Sequence, residues 1–181
     1  DNCDILICPP FTSLMVCHSL LKGTNIKLGA QNLHWEKDGA YTGEISAKML
    51  LSAGCEYVII GHSERRQFFG ETDETVNKKI KTALENNLKP ILCVGESLKQ
   101  REEGIFKGVV SEQLQNGLDG ISSEQMKNIV IAYEPVWAIG TGLNANSEQI
   151  SEMNSIIGNV VGELYDSETA NNTLILYGGS V

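Results

Sequence analysis

Six short apolar runs, rich in β-branched residues, recur along the chain: Ile5–Cys8, Ile26–Ala30, Tyr57–Gly61, Ile91–Val94, Ile129–Tyr133 and Leu174–Tyr177. They do not alternate polar with apolar, which is the pattern of strands covered on both faces in a parallel sheet. Helical patterns separate them. Thr12 is placed to cap a segment whose Val16, Cys17, Leu20 and Leu21 recur at helical spacing, and Gly23 stops it. Gly43 to Ala53 reads as a second helix ending at Gly54. After Thr72, Asp73 and Glu74 occupy a first turn where the helix dipole favours acids, and Val76, Ile80, Ala83 and Leu84 share a face. Ser147 opens a long helix with Ile150, Met153, Ile157, Val160, Val161 and Leu164 on its inner side. Strand and helix in repetition, with no linker or low-complexity break, predict βαβ units in a single domain over residues 1–181. Right-handed crossovers then leave two architectures, an open doubly wound sheet or an α/β barrel.

Composition removes several function classes. With 181 residues, 41% of them hydrophobic, the chain is long enough for one domain or most of a larger one. Its apolar runs fall far short of the roughly 18 residues a bilayer crossing needs. A net charge of −9 argues against a general nucleic-acid surface. Cys3, Cys8, Cys17, Cys55 and Cys93 form an odd set without CxxC spacing, which points to reduced thiols in the cytoplasm. His18, His34 and His62 lack metal-ligand spacing, so no zinc site is expected.

In both architectures chemistry collects at the carboxyl ends of the strands. Polar residues cluster there: Gln31 and Asn32, His62 and Ser63, Glu96, Glu134, and the glycines before Ser180. No GxGxxG or GxxxxGK[ST] follows any strand, so a nucleotide site has no support. Glu134 precedes Pro135, which holds it extended at a strand tip, and an uncharged, glycine-punctuated stretch follows. A carboxylate aimed into a closable cavity loses water, and desolvation lifts carboxylate pKa values towards working pH. Such a group suits abstraction of a proton from carbon beside a carbonyl; an ordinary solvated strand-end glutamate is the competing explanation. Ser63 is placed to cap a short turn, which puts His62 near a positive helix N-terminus and favours the neutral ring. A neutral imidazole donates one N–H to a carbonyl and its oxyanion. Taken alone, His62 reads more readily as a core or surface histidine without a ligand. Gly140, Gly178, Gly179 and Ser180 lie where backbone amides could approach a phosphate. Cys93 reads as a buried packing residue, and Trp137 as the base of a lid.

The motifs "AYEPVWAIGTG", "GHSERR", "GAQN", "AYTGEIS", "CVGE" and "LYGGSV" together resemble the triosephosphate isomerase family, glycolytic (β/α)8-barrel enzymes, over essentially the whole chain. The resemblance implies a TIM barrel, here a partial one with about six of eight parallel strands. It implies Glu134 as the base and His62 as the neutral electrophile in interconverting dihydroxyacetone phosphate and glyceraldehyde 3-phosphate. Pro135 to Ala145 would be the mobile lid, including Pro135, Val136, Trp137, Ala138, Ile139, Gly140, Thr141 and Gly142. Gly140 and Ser180 would give amides to the substrate phosphate, with Tyr177 and Ser180 latching the closed lid. Asn32 to Gly43, with Thr42 near its tip, resembles the loop that enters a partner subunit, which implies a homodimer. No metal or organic cofactor is implied.

Two departures bear on this. The family's first strand carries an asparagine and a catalytic lysine, and its eighth strand a pair of glycines. This chain starts at Asp1 on what reads as the segment leading into the second strand and stops just past the seventh. Against a barrel of roughly 250 residues, it is expected to be about 70 short. Glu64 would then lack the lysine it pairs with, and the piece alone is expected to be unstable and inactive. Leu143–Ala145 stands where the family often has Lys-Thr-Ala, which bears on lid kinetics. Two rivals stay open at this level: another phosphosugar barrel, such as an epimerase or aldolase-like lyase, and a non-catalytic scaffold that kept the fold. The first would need a metal cluster or a Schiff-base lysine at a strand end, and neither is present in the pattern.

Overall fold

The computed structural model describes residues 3–139 and 142–179. Its six strands are β1 (Ile5–Ile7), β2 (Ile26–Ala30), β3 (Tyr57–Ile60), β4 (Lys89–Val94), β5 (Val130–Tyr133) and β6 (Leu174–Tyr177). All neighbouring pairs are parallel, in the spatial order β1-β2-β3-β4-β5-β6. A doubly wound sheet reverses its strand order at a switch point. This sheet never reverses, so it is the wall of an α/β barrel, and the two architectures left open by the pattern are resolved.

Side chains on a strand alternate between its faces. Here one face carries Val58, Ile60, Leu92, Val94, Ile131 and Tyr133, packed beneath the helices in the main core. The other carries Tyr57, Ile59, Ile91, Cys93, Val130 and Ala132, a second cluster on the barrel's inner side. Both faces are apolar because both are covered, which is why the runs do not alternate.

The helices among the described residues are α1 (Leu14–Leu21), α2 (Ala47–Ser52), α3 (Ser63–Phe68), α4 (Asp73–Glu85), α5 (Leu98–Glu102), α6 (Phe106–Gly117), α7 (Ser123–Met126), α8 (Ser147–Leu164) and α9 (Ser167–Asn172). The helix after Thr72 is as expected: Thr72 and Thr75 form a capping box, and Val76, Ile80 and Ala83 are fully buried. Other expectations are corrected. Thr12 does not cap α1, because a 3₁₀ turn over Phe11–Ser13 comes first and Ser13 takes the cap position without a side-chain bond. Val16 and Leu20 are exposed rather than inward, so periodicity there did not mark the core-facing side. The helix expected over Gly43–Ala53 shortens to α2, capped by Ser46, whose hydroxyl accepts from the Met49 amide. Helix α8 does open at Ser147, as expected, behind an Asn146 cap, but its Leu164 is exposed rather than inward. Strand β4 starts at Lys89, ahead of Pro90, which reads as a breaker in sequence. Lys89 donates to Glu56 on the β3 side, so Pro90 turns its missing donor towards β5, whose pairing starts only at Ile91.

Candidate active site

Three strand exits build the site. At the end of β5 the ladder continues for one residue, with the Glu134 amide donating to Val94 O at 2.8 Å. Pro135 follows, and Glu134 is buried with its carboxylate turned towards the exit of β3. One carboxylate oxygen accepts the Ser63 amide at 3.1 Å. The other stands 3.0 Å from His62 Nε2.

His62 reaches this position because Gly61 adopts a positive φ of 77° that turns the chain out of β3. The cap of α3 is then His62 itself, not Ser63: its Nδ1 accepts the Glu64 amide at 3.3 Å. A nitrogen that accepts an N–H carries no proton, so the neutral ring holds its proton on Nε2 and donates it to Glu134. Two influences oppose each other at this ring. The hydrogen bond to Glu134 comes first and raises the His62 pKa above its ordinary 6.5, while burial lowers it. The expectation that the helix start alone sets the neutral form is therefore corrected: with Glu134 bonded to it, His62 is the more readily protonated.

Gly95, at the exit of β4, lies directly against the backbone of Glu134. A Cβ there would come within 1.7 Å of the Glu134 carbonyl oxygen, so only glycine permits this approach. Gly178 donates to Tyr133 O at 2.8 Å and passes beside the Glu134 side chain. Cavities flank the pair on both sides. One of about 340 Å³ is lined by Phe11, Gln31, Asn32, Ile59, His62, Glu64, Arg65 and Phe69. The second, about 440 Å³, lies behind Glu134 among Arg66, Gly95, Ser97, Gln100, Gln113 and Val136. Each is large enough for a small sugar phosphate.

The stretch after Glu134 begins with a 3₁₀ turn over Val136–Ala138. Val136 donates its amide to Glu96 O at 3.1 Å, Ala138 is fully buried, and Trp137 donates its indole N–H to Glu96 Oε1 at 2.8 Å. Gly140, Thr141 and Ser180 lie outside the described residues. Tyr177 belongs to β6, and its buried hydroxyl has no hydrogen-bond partner among the described residues. Thr42 is exposed in the loop between β2 and α2.

The pattern did not reveal a second polar centre one layer below. Glu71, nearly inaccessible, receives Arg65 Nε at 2.7 Å, Lys79 Nζ at 3.1 Å and the Gly61 amide at 3.3 Å. Lys79 also donates to Asn32 at 2.8 Å. Burial pulls the Lys79 pKa down, against the pull of Glu71. This network steadies the turn that carries His62. Its one visible signal is "SERR" followed by an acid, because two adjacent arginines need anionic partners when half-buried. Cys93 is buried, and burial, then Glu134, pushes its thiol well above the ordinary range. Cys8 and Cys55 are pushed up to about 11 by burial, so these three are packing thiols. Among the described residues no group of acids, histidines and cysteines could hold a metal ion. No helix there is long and apolar enough to cross a membrane.

Comparison with known proteins adds an independent line. A family model described as triosephosphate isomerase matches residues 1–181. Relatives named triosephosphate isomerase include one from Dictyoglomus turgidum, 56% identical over 178 residues, covering 98% of this chain and 72% of the relative. Those from Alkaliphilus oremlandii and Clostridium botulinum are each 54% identical, with 98% and 99% of this chain covered and 72% and 73% of theirs.

Proposed function

This chain belongs to the triosephosphate isomerase family, and from that premise we propose that it interconverts dihydroxyacetone phosphate and D-glyceraldehyde 3-phosphate in glycolysis and gluconeogenesis. The observation that carries the reading is the 3.0 Å contact between Glu134 and His62. Two groups so placed can act on adjacent atoms of one three-carbon ligand. Glu134 takes a proton from the carbon beside the carbonyl, the C–H electron pair becomes a C=C bond, and the carbonyl oxygen gathers the charge. His62 meets that oxygen with the Nε2 proton it now gives to Glu134. The protonated Glu134 then returns its proton to the former carbonyl carbon, while His62 passes a proton to the former carbonyl oxygen. The hydroxyl oxygen on the first carbon gives one up, so that the carbonyl re-forms on the carbon that first lost its proton.

The substrate must first separate the pair, since no atom fits between groups at hydrogen-bond distance. Glu134 therefore leaves His62 and the Ser63 amide and swings onto the substrate. Once it does so, the main cause raising the His62 pKa is gone. Burial, the larger of the remaining influences, and the Glu64 amide at Nδ1 favour the neutral ring that the reaction needs, against the smaller pull of the Glu64 and Glu71 carboxylates.

Residues 135–145 act as a lid that excludes water from the enediolate and strengthens the fields within the site. Gly140 and Ser180 supply amides to the phosphate, and Tyr177 latches the closed lid. The protein works in the cytoplasm as a homodimer, with the loop around Thr42 entering the second copy. Exposed Phe11, Tyr41, Phe68 and Phe69 support such a covered face. The deciding experiment incubates the complete gene product with dihydroxyacetone phosphate in deuterium oxide. Deuterium is expected on the carbon beside the carbonyl and in the aldehyde product, and Glu134→Gln should abolish both. Isomerisation that survives Glu134→Gln overturns the assignment.

A further inference from the structure

We propose that Arg101 is a positioning residue for residues 135–145, its single guanidinium holding both the entry of that segment and the helix that receives its exit. The inference rests on the reading above, in which the segment closes over substrate. On the entry side, Arg101 Nη1 donates to Glu96 Oε1 at 3.0 Å, and the guanidinium lies 5.7 Å from the Trp137 ring centre. Trp137 donates to the same Glu96 oxygen at 2.8 Å, so arginine, glutamate and tryptophan close a triangle under the segment's first turn. On the exit side, Arg101 Nη2 donates to Glu152 Oε2 at 3.4 Å. Glu152 lies in the second turn of α8, whose cap, Asn146, is the first residue after the segment.

Glu96 is fully inaccessible, and its Oε1 takes three donors: Arg101, Trp137, and the Tyr133 hydroxyl at 3.0 Å. Its Oε2 has no hydrogen-bond partner among the described residues. A buried carboxylate is costly without a cation, and Arg101 is the cation paired with it there. Only a planar fork can reach two carboxylates in different directions and still lie against aromatic rings; an ammonium is a point charge. Phe106, 4.5 Å from the guanidinium, supports the plane from the other helix. Entry and exit are thus referred to one rigid group, so a shift of Trp137 relative to Glu96 is felt at Glu152.

The test uses the complete gene product with Arg101→Met, Arg101→Lys, Glu152→Gln and a surface control, Lys107→Gln, which removes the other cation 3.3 Å from Glu152. The readouts are kcat, KM, inorganic phosphate released per turnover, and Trp137 emission isolated by subtracting the spectrum of Trp137→Phe. Arg101→Met should lower kcat about tenfold, raise phosphate release and shift Trp137 emission, with Arg101→Lys restoring only part. Glu152→Gln, which frees the exit alone, should raise KM about threefold and move kcat less. Lys107→Gln should change none of these. If Arg101→Met does not fold, Glu152→Gln decides: unchanged KM and phosphate release overturn the proposal. Trp137 emission untouched by either Arg101 variant overturns it whatever the activity. A parent protein without isomerase activity, whose Trp137 emission still responds, would instead sink the functional reading and leave the clamp standing.

Discussion

The middle of the sheet and its two ends are made of the same kinds of residue, yet they live in different environments. Val58, Ile60, Leu92 and Ile131 in β3 to β5 are fully buried, whereas Ile5 in β1 is 46% exposed and Leu174 and Leu176 in β6 are 57% and 41% exposed. Each middle strand is flanked by two others, while β1 and β6 each pair with one among the described residues. The burial of a strand is therefore set by its neighbours and not by its composition. The candidate site follows the same division: His62, Glu96 and Glu134 leave β3, β4 and β5, the strands held on both sides. The proposed base and electrophile are thus carried by strands that are paired on both sides.

This contrast can be broken experimentally, most severely at Gly95. Gly95→Ala drives a methyl group into the backbone of Glu134, and should cost about 4 kcal/mol of stability together with activity, measured by urea titration and assay. Ile131→Ala opens a cavity in the fully buried middle and should cost about 3 kcal/mol. If it costs no more than a change at the edge, the contrast fails. Glu134→Asp withdraws the carboxylate by one methylene and should slow turnover about 100-fold, near 2.7 kcal/mol of barrier, with little loss of stability. Leu174→Ala, at the exposed end, should cost less than about 1 kcal/mol. A larger loss would mean that β6 is covered in solution.

The smallest effect is a pH dependence within the middle. The folded pKa of His62 is raised above its ordinary 6.5, first by the bond to Glu134. A raised pKa gives stabilisation that is fully present below 6.5 and is lost as pH rises through the folded value. The stability difference between the parent and His62→Gln should therefore shrink as pH rises above 6.5. A difference that grows over that range would mean that the histidine is not paired with an ionised Glu134.

Much of the fold was legible because strand cores announce themselves. Ile26–Ala30 and Leu174–Tyr177 are strands with the bounds read from sequence, and the other four shift by one or two residues. Thr72 with two acids after it marked α4 because its capping and first-turn charges are local. By contrast, α5, α6, α7 and α9 escaped, being short or weakly patterned, and Val16 and Leu20 misled because helical spacing does not say which face the core will take. Within the site, His62 and Glu134 were nameable from their motifs, whereas Glu71, Lys79 and Arg101 were not. They look like ordinary surface charges until the fold removes their water.

What the sequence decided on its own was local: which runs would extend, where α4 and α8 would start, and that polar groups would sit at strand exits. The family, too, followed from its motifs. The tertiary structure alone decided that the strands stand in chain order, that Ser63 and Glu134 meet across 71 residues, and that His62, not Ser63, caps α3. It also decided which glutamates would be buried with cations beside them. The reason is one of range: capping, turns and periodicity act over a few residues, while contact between distant side chains exists only after parallel pairing has brought their strands together.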